Sequence, residues 1–322
     1  MNNCLKYITA SVAVLAVGAT AFLTMPSEAG EPLGRGTSID DWRGWGVMTG
    51  GKGYVSTPMG QVHYRDIGPR DTKNPIVLLH QSPMSMIQFA EVQNNFAEMG
   101  IRAIAIDRPG YGLSDLPPEQ PTIGEYADNI IYVLDHLNVD KVAIAGHHTG
   151  AQVAASFAAN HPDRVVSVVM HGAAQLTQEE ANAYLAGPGR DRTPVADGSH
   201  LSGRFGPQST PDSQAILDAK TWLTITNYIQ GPDIGHWAAF HYDMLPDLMA
   251  IKVPGLVLSD AKDPVQVMDL RVANEHRPDF KYVEFSKGDL LQFMAEPKRW
   301  AQIVADFMAT AADQKDTAQL NR

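Results

Sequence analysis

Hydrophobic residues along this chain fall into short continuous runs that alternate with stretches of helical apolar spacing. Short apolar runs predict strands buried on both faces, and spacing near 3.6 residues predicts helices between them. The predicted strands are 54–56, 61–66, 75–80, 101–106, 142–146, 165–170, 255–259 and 281–285. The predicted helices cover about 86–99, a segment beginning at Thr122, 149–160, 265–275 and 297–312. This alternation predicts an α/β fold with a mainly parallel sheet and helices on both faces.

The alternation of predicted strands and helices stops at Gln175 and resumes with the strand at 255–259. Between them the sequence predicts two or three helical segments, and we interpret this stretch as a lid inserted into the core. Two capping boxes, Thr122 with Glu125 and Thr177 with Glu180, mark helix starts. The predicted organisation is an extended N-terminal arm at 30–52, a core at 53–175 and 249–312, a helical lid at 176–248 and a disordered tail at 313–322.

The N-terminus has the pattern of a secretory signal peptide. An apolar stretch at 7–25 is followed by small residues at Ser27 and Ala29, which predicts cleavage near Ala29 and removal of residues 1–29. The alternative is an uncleaved membrane anchor, because the stretch is almost long enough to span a bilayer. Cleavage predicts a periplasmic or secreted protein without stable membrane association. The single cysteine, Cys4, would leave with the signal, which excludes a cysteine nucleophile and a thiolate metal site.

Composition narrows the classes of partner. The chain has 322 residues, is 44% hydrophobic and carries a net charge of −11. This is enough apolar material for one large core, and the acidic balance argues against a nucleic-acid or anionic-membrane partner. We expect a small-molecule substrate or ligand and no cofactor. The sequence does not determine the oligomeric state.

Chemistry-bearing motifs follow four of the predicted strands. They are His80-Gln81-Ser82-Pro83, the segment from Asp107 to Asp115 (D-R-P-G-Y-G-L-S-D), Gly146-His147-His148-Thr149-Gly150, and Asp263 within S-D-A-K-D-P. Together, in this order, they resemble the α/β-hydrolase superfamily from about residue 53 to residue 308. The resemblance implies that fold, with the lid at the place where the family inserts its cap.

The resemblance also exposes a departure at the nucleophile. The family carries its nucleophile at the centre of G-x-S-x-G, on a strained turn between a strand and a helix. Here the flanking glycines remain at 146 and 150, but the centre is His148. The resemblance implies oxyanion-hole donors at Ser82 and Thr149.

A second departure concerns the base. The family supplies a histidine after the last strand, whereas this chain has none after His276. Aligning Gly288 with the family's glycine puts Asp289 at the base position, and counting back from Pro297 puts Leu290 there. We favour Asp289. The resemblance keeps Asp263 as the acid that would orient an imidazole.

Three hypotheses follow from these two departures from the family pattern. In the first, His148 is a general base held in one tautomer by Asp289 or Asp263, in a hydrolase acting on a small, partly apolar ester, lactone or acidic-carbon compound. Lyase-type chemistry is also compatible with a histidine base. In the second, the protein is a catalytically inactive small-molecule binding protein. In the third, His148, Asp263 and Asp289 hold a metal ion.

Other residues near these motifs have structural interpretations. His80 typically orients the oxyanion loop, and His147 typically packs behind the elbow. His171 ends a central strand and is a candidate pocket residue. Arg108 borders the expected pocket, and the sequence does not assign it a role.

Overall fold

The computed structural model describes residues 50–186, 196–197, 233–285 and 292–320. The predicted signal peptide, nearly all of the predicted arm and much of the predicted lid lie outside the described residues. So do Asp289 and Leu290, the two candidates for the base position.

The described strands form one sheet that is mainly parallel, as predicted. The strands are β1 (Lys52–Thr57), β2 (Gly60–Ile67), β3 (Ile76–Leu79), β4 (Ala103–Ile106), β5 (Val142–His147), β6 (Val165–His171), β7 (Gly255–Asp260) and β8 (Lys281–Phe285). Their order across the sheet is β1-β2-β4-β3-β5-β6-β7-β8. β2 is antiparallel to both β1 and β4, and the remaining neighbours pair in parallel.

Helices connect most of the parallel strands. They are α1 (Ala90–Glu98), α2 (Ile123–His136), α3 (Thr149–Asn160), α4 (Gln178–Ala186), α5 (Ile234–Phe240), α6 (Leu245–Ala250), α7 (Gln266–Arg271), α8 (Gln292–Ala295) and α9 (Pro297–Leu320). A 3₁₀ turn at Met86–Phe89 precedes α1, and a π-helical turn at Val272–His276 follows α7. The described parts of the predicted lid are therefore helical.

Both predicted capping boxes are present. The Thr122 hydroxyl accepts a hydrogen bond from the Glu125 backbone N–H at the start of α2, and the Glu125 carboxylate accepts from the Thr122 N–H. Thr177 and Glu180 form the same reciprocal pair before α4. Each box satisfies backbone donors that a helix start otherwise leaves without partners.

The C-terminus differs from the sequence expectation. A disordered tail was expected from Asp313, but α9 continues to Leu320. The physical reason is local, since residues 313–320 contain neither proline nor glycine and begin as a direct extension of a packed helix.

Two hydrophobic clusters cover the two faces of the sheet. One includes Tyr126 of α2 and Phe157 of α3, and the other includes Phe96 of α1 and Trp300 of α9. Four buried alanines allow α3 to lie close to the sheet: Ala151, Ala154, Ala155 and Ala158. Helices on both faces confirm the predicted layer arrangement.

The order of the strands determines where in the sheet a ligand site is expected. β3 and β5 are neighbours, but β4 lies beyond β3 on one side and β6 lies beyond β5 on the other. In such sheets a crevice opens at the carboxyl ends of the strands where the chain reverses direction, and ligands bind there. The loops after β3 and β5, which carry Ser82 and His148, flank this crevice. No described helix combines the length and apolar character needed to cross a bilayer.

Candidate active site

His148 occupies a strained turn between β5 and α3. Its backbone has φ 48° and ψ −116°, a conformation that costs a non-glycine residue about 1–2 kcal/mol. The glycines on either side are required by packing. A Cβ on Gly146 would lie 2.0 Å from the Gly150 carbonyl oxygen, and a Cβ on Gly150 would lie 2.1 Å from the Leu79 oxygen. The turn is thus tightly packed, with a histidine at its strained central position.

The imidazole of His148 pairs with Asp263. The His148 Nε2 atom lies 2.6 Å from Asp263 Oδ2, although the residues are 115 positions apart in the chain. The Asp263 side chain is buried, whereas 20% of the His148 side chain remains exposed. The other carboxylate oxygen, Oδ1, accepts a hydrogen bond from the Val265 N–H at 2.9 Å. Asp263 is therefore fixed from the β7 side of the crevice.

The charge on Asp263 follows from competing effects. Burial raises the pKa of its carboxyl, but the hydrogen bond and charge interaction with His148 and the Val265 N–H outweigh it, so the pKa lies below its usual value. Asp263 is consequently ionised at neutral pH and pairs with His148 Nε2. The other ring nitrogen of His148, Nδ1, has no hydrogen-bond partner among the described residues.

His147 has a different environment from its neighbour. Its side chain is fully buried, and neither ring nitrogen has a hydrogen-bond partner among the described residues. Burial lowers the pKa of His147 well below its usual value, and the nearby His148 and His171 lower it further. His147 is therefore neutral, and its ring packs 4.6 Å from that of Phe293, between ring centroids.

His171 is also held inside the fold. The candidate pocket residue is fully buried, with its Nδ1 accepting a hydrogen bond from the Trp300 indole N–H at 3.0 Å. Its Nε2 lies 3.3 Å from the Asp260 carboxylate. These contacts place His171 behind the elbow, against helix α9.

The loop after β3 is anchored by His80. The His80 Nδ1–H donates to the Gln81 carbonyl oxygen at 2.7 Å, and Nε2 accepts the Arg108 backbone N–H at 3.0 Å. Burial lowers the pKa of His80 well below its usual value, and the Arg108 charge adds to this. His80 is therefore a neutral cross-link between the loops after β3 and β4.

Arg108, which the sequence left without a role, supports the predicted oxyanion loop. Its Nη2 donates to the Ser82 hydroxyl at 2.9 Å, and its guanidinium lies over the rings of Tyr111 and Tyr126, at 4.8 and 5.0 Å from their centroids. The Tyr111 hydroxyl accepts the backbone N–H of Gly235 at 2.8 Å, which ties the loop to α5. No local sequence pattern signals this network, because its members come from four separate segments.

The predicted oxyanion donors lie on both sides of the crevice. Ser82 follows β3, and Thr149 is the first residue of α3, directly after His148. Neither backbone N–H has an acceptor among the described residues. Both groups are therefore free to meet a ligand oxygen, the role that the sequence analysis predicts for them.

The site also contains a possible ligand set for a metal. His147, His148 and Asp263 each present a donor atom within 4.8 Å of the others. However, the 2.6 Å separation of His148 Nε2 and Asp263 Oδ2 is shorter than the roughly 3.3 Å between two ligands of one tetrahedral zinc ion. The arrangement favours a hydrogen-bonded pair.

Comparisons with known proteins agree with this architecture. The model of the alpha/beta hydrolase fold matches residues 74–205. A crystal structure of the enol-lactonase from Burkholderia xenovorans LB400 superposes with a TM-score of 0.60 at 21% identity, covering 80% of this chain and all of that one. The chain has the α/β-hydrolase fold. The resemblance carried by the motifs is thereby confirmed.

The sequence relatives include a peptidase and an esterase. The proline iminopeptidase of Clostridium botulinum is 23% identical over 281 residues, which cover 79% of this chain and 96% of the relative. The bifunctional esterase/perhydrolase of Acinetobacter calcoaceticus is 33% identical over 117 residues, or 36% of this chain and 42% of the relative.

Proposed function

We propose that this protein is an exported hydrolase that cleaves a small, partly apolar ester or lactone with His148 as general base. The observation that carries the proposal is the 2.6 Å contact between His148 Nε2 and Asp263 Oδ2, formed by a histidine on the turn where the superfamily presents its nucleophile. Export rests on the signal-peptide pattern of residues 1–29. Ester and lactone bonds are suggested by the names of the esterase/perhydrolase and enol-lactonase relatives.

The proposed reaction uses the free nitrogen of the imidazole. His148 Nδ1 takes a proton from a water molecule as the water oxygen bonds to the substrate's carbonyl carbon. Asp263, already ionised, stabilises the imidazolium that forms. When the tetrahedral intermediate collapses, the bond to the leaving oxygen breaks and the imidazolium returns the proton to it. The products are a carboxylic acid and an alcohol, and in a lactone both remain in one molecule.

The negative charge on the carbonyl oxygen needs donors during this step. The backbone N–H groups of Ser82 and Thr149 supply them, because both border the crevice and have no acceptor among the described residues. Thr149 also begins helix α3, whose N-terminus favours negative charge. This mechanism needs no covalent acyl-enzyme, since no hydroxyl occupies position 148.

The experiment compares hydrolysis of p-nitrophenyl acetate, p-nitrophenyl butyrate and small lactones by the purified protein and by His148→Gln. A general base contributes about 10²–10⁴-fold, so kcat should fall by that factor in the variant. Asp263→Asn should lower kcat less, because the base remains while its charged partner is lost. A matched control is His161→Gln, which removes another histidine–aspartate pair, with Asp128 at 2.8 Å, on the surface.

Two results would overturn the proposal. Undiminished turnover in His148→Gln would place the chemistry elsewhere. A wild-type protein that binds these compounds without hydrolysing any ester, lactone or acidic-carbon substrate would instead be a binding protein. Activity on carbon acids without hydrolysis would assign the same base to lyase chemistry.

A further inference from the structure

Gly172 lies against the imidazole of His148. It follows β6 and has φ +62°, a left-handed conformation. A Cβ added at this position would lie 2.4 Å from His148 Cδ2 and 2.8 Å from His148 Nε2. Both distances are shorter than side-chain contacts allow, so the ring occupies space that only glycine leaves free.

The backbone around Gly172 is fixed by hydrogen bonds on each side. The His148 N–H donates to the His171 carbonyl oxygen at 2.9 Å, and the Gly172 N–H donates to the Leu258 oxygen at 3.1 Å. The next residue, Ala173, donates its N–H to the buried carboxyl of Asp269. The loop is therefore tied to β5, β7 and α7, and it cannot move aside without breaking these bonds.

A second constraint on the position of the His148 imidazole comes from Asp263. The atom that would meet the added Cβ at 2.8 Å, His148 Nε2, is also the atom that contacts Asp263 Oδ2 at 2.6 Å. A shift of the ring away from position 172 therefore changes the His148–Asp263 hydrogen bond. The side chain of Val265, 3.2 Å from the same added Cβ, further limits the space.

We propose that Gly172 is a positioning residue for His148: its missing side chain lets the imidazole lie where Nε2 meets Asp263. Gly172 acts through His148 and is not itself a catalytic residue. The catalytic consequence rests on the proposed function, but the steric coupling between positions 172 and 148 does not. The imidazole thus adds a steric need for glycine to the one that the positive φ of Gly172 already imposes.

A double-mutant cycle tests the steric coupling. Thermal unfolding is measured for the purified protein, Gly172→Ala, His148→Gly and the double variant. Gly172→Ala should lower Tm in both backgrounds because of its φ, but by at least about 3 °C more when His148 is present. The control is Gly100→Ala, since Gly100 has φ +77° and no atom within 4 Å of an added Cβ. Its effect on Tm should be the same in both backgrounds.

Each outcome of the cycle decides the proposal. A Gly172→Ala protein that unfolds alone but folds together with His148→Gly supports it. Equal penalties in the two backgrounds overturn it, and so does failure of both to fold, because neither depends on the imidazole.

A second readout separates positioning from stability. In protein labelled with ¹⁵N-histidine, at a pH where His148 is neutral, the His148 signals should show one protonated and one unprotonated nitrogen. Gly172→Ala should mix the two tautomers and lower kcat at least about tenfold with little change in KM, whereas Gly100→Ala should alter neither. Unchanged tautomer signals would overturn the positioning role. If the wild type shows no turnover, the proposed function fails while the cycle and the tautomer signals still decide the role of Gly172.

Discussion

The loops after β3 and β5 lie at the same edge of the sheet, and each contains a histidine. The environments of the two histidines differ. His80 in the first loop is fully buried, and both of its ring nitrogens have backbone partners. His148 in the second is partly exposed, and only Nε2 has a partner among the described residues, the carboxylate of Asp263. His80 has no nitrogen left for a ligand, whereas His148 has one. The difference separates a structural histidine from a chemically available one.

The two loops also differ in the interactions that fix their conformations. The loop after β3 depends on side chains, since His80 bonds the Arg108 N–H and the Arg108 guanidinium bonds Ser82. The turn after β5 depends on backbone shape, since its glycines pack against carbonyl groups and leave the central side chain outside that packing. The conformation of this turn therefore depends less on the central side chain, here His148, than on its two glycines.

The largest expected effect is the difference in stability between variants of His80 and variants of His148. His80→Ala leaves two buried backbone groups, the Arg108 N–H and the Gln81 carbonyl, without hydrogen-bond partners. Because each unsatisfied group costs about 1–3 kcal/mol, we expect the free energy of unfolding to fall by about 3 kcal/mol. His148→Ala should lose only about 1 kcal/mol, because water can enter the partly exposed site and solvate Asp263. Denaturant unfolding of the two variants measures both values. Equal losses would show that the two histidines are not distinguished by their partners.

A smaller effect concerns pH and the neighbouring His147. Its pKa is depressed in the folded state but ordinary in the unfolded chain, so below about pH 6.5 the unfolded chain binds a proton that the folded one does not. Folding stability therefore falls as the pH drops, by about 1.4 kcal/mol per pH unit for this group. His147→Leu should remove that slope and keep the packing against Phe293.

The measurement for His147 is denaturant unfolding between pH 7 and pH 5 in about half-unit steps, in the wild type and the variant. The variant should retain an acid-dependent loss from His80, whose pKa is also depressed. Identical slopes in the two proteins would mean that His147 binds a proton in the folded state, contrary to its burial.

The smallest effect isolates the backbone of the turn. At φ 48° glycine is unstrained and alanine is not, so His148→Gly should be about 1 kcal/mol more stable than His148→Ala. Thermal unfolding of the two variants gives the difference. An alanine variant at least as stable as the glycine variant would contradict the strained geometry.

Much of the fold was predictable because its signals are local. Apolar runs predicted the strands, and the Thr122–Glu125 capping box predicted the start of α2. The resemblance of residues 146–150 to the family's nucleophile motif predicted a crowded turn with His148 at its centre, and the positive φ of His148 agrees with it. Each of these features depends on residues a few positions apart, whose mutual geometry is set by the backbone alone.

The partner of His148 was not predictable in this way. The sequence left Asp263 and Asp289 as alternatives; the structure brings Asp263 to 2.6 Å, and Asp289 lies outside the described residues. The choice depends on β7 reaching the crevice beside β6, which strand order decides and local pattern does not. The same is true of Arg108 beneath Ser82.

The sequence by itself determined the layered α/β fold and predicted a tight turn between β5 and α3 with His148 at its centre. Only the tertiary structure showed that Asp263 lies at hydrogen-bond distance from that imidazole and that Gly172 leaves room for its ring. The physical reason is the range of the interactions. Strand and helix formation follow from apolar period and capping within a few residues, whereas a contact across 115 positions exists only once the sheet has fixed the order and twist of its strands.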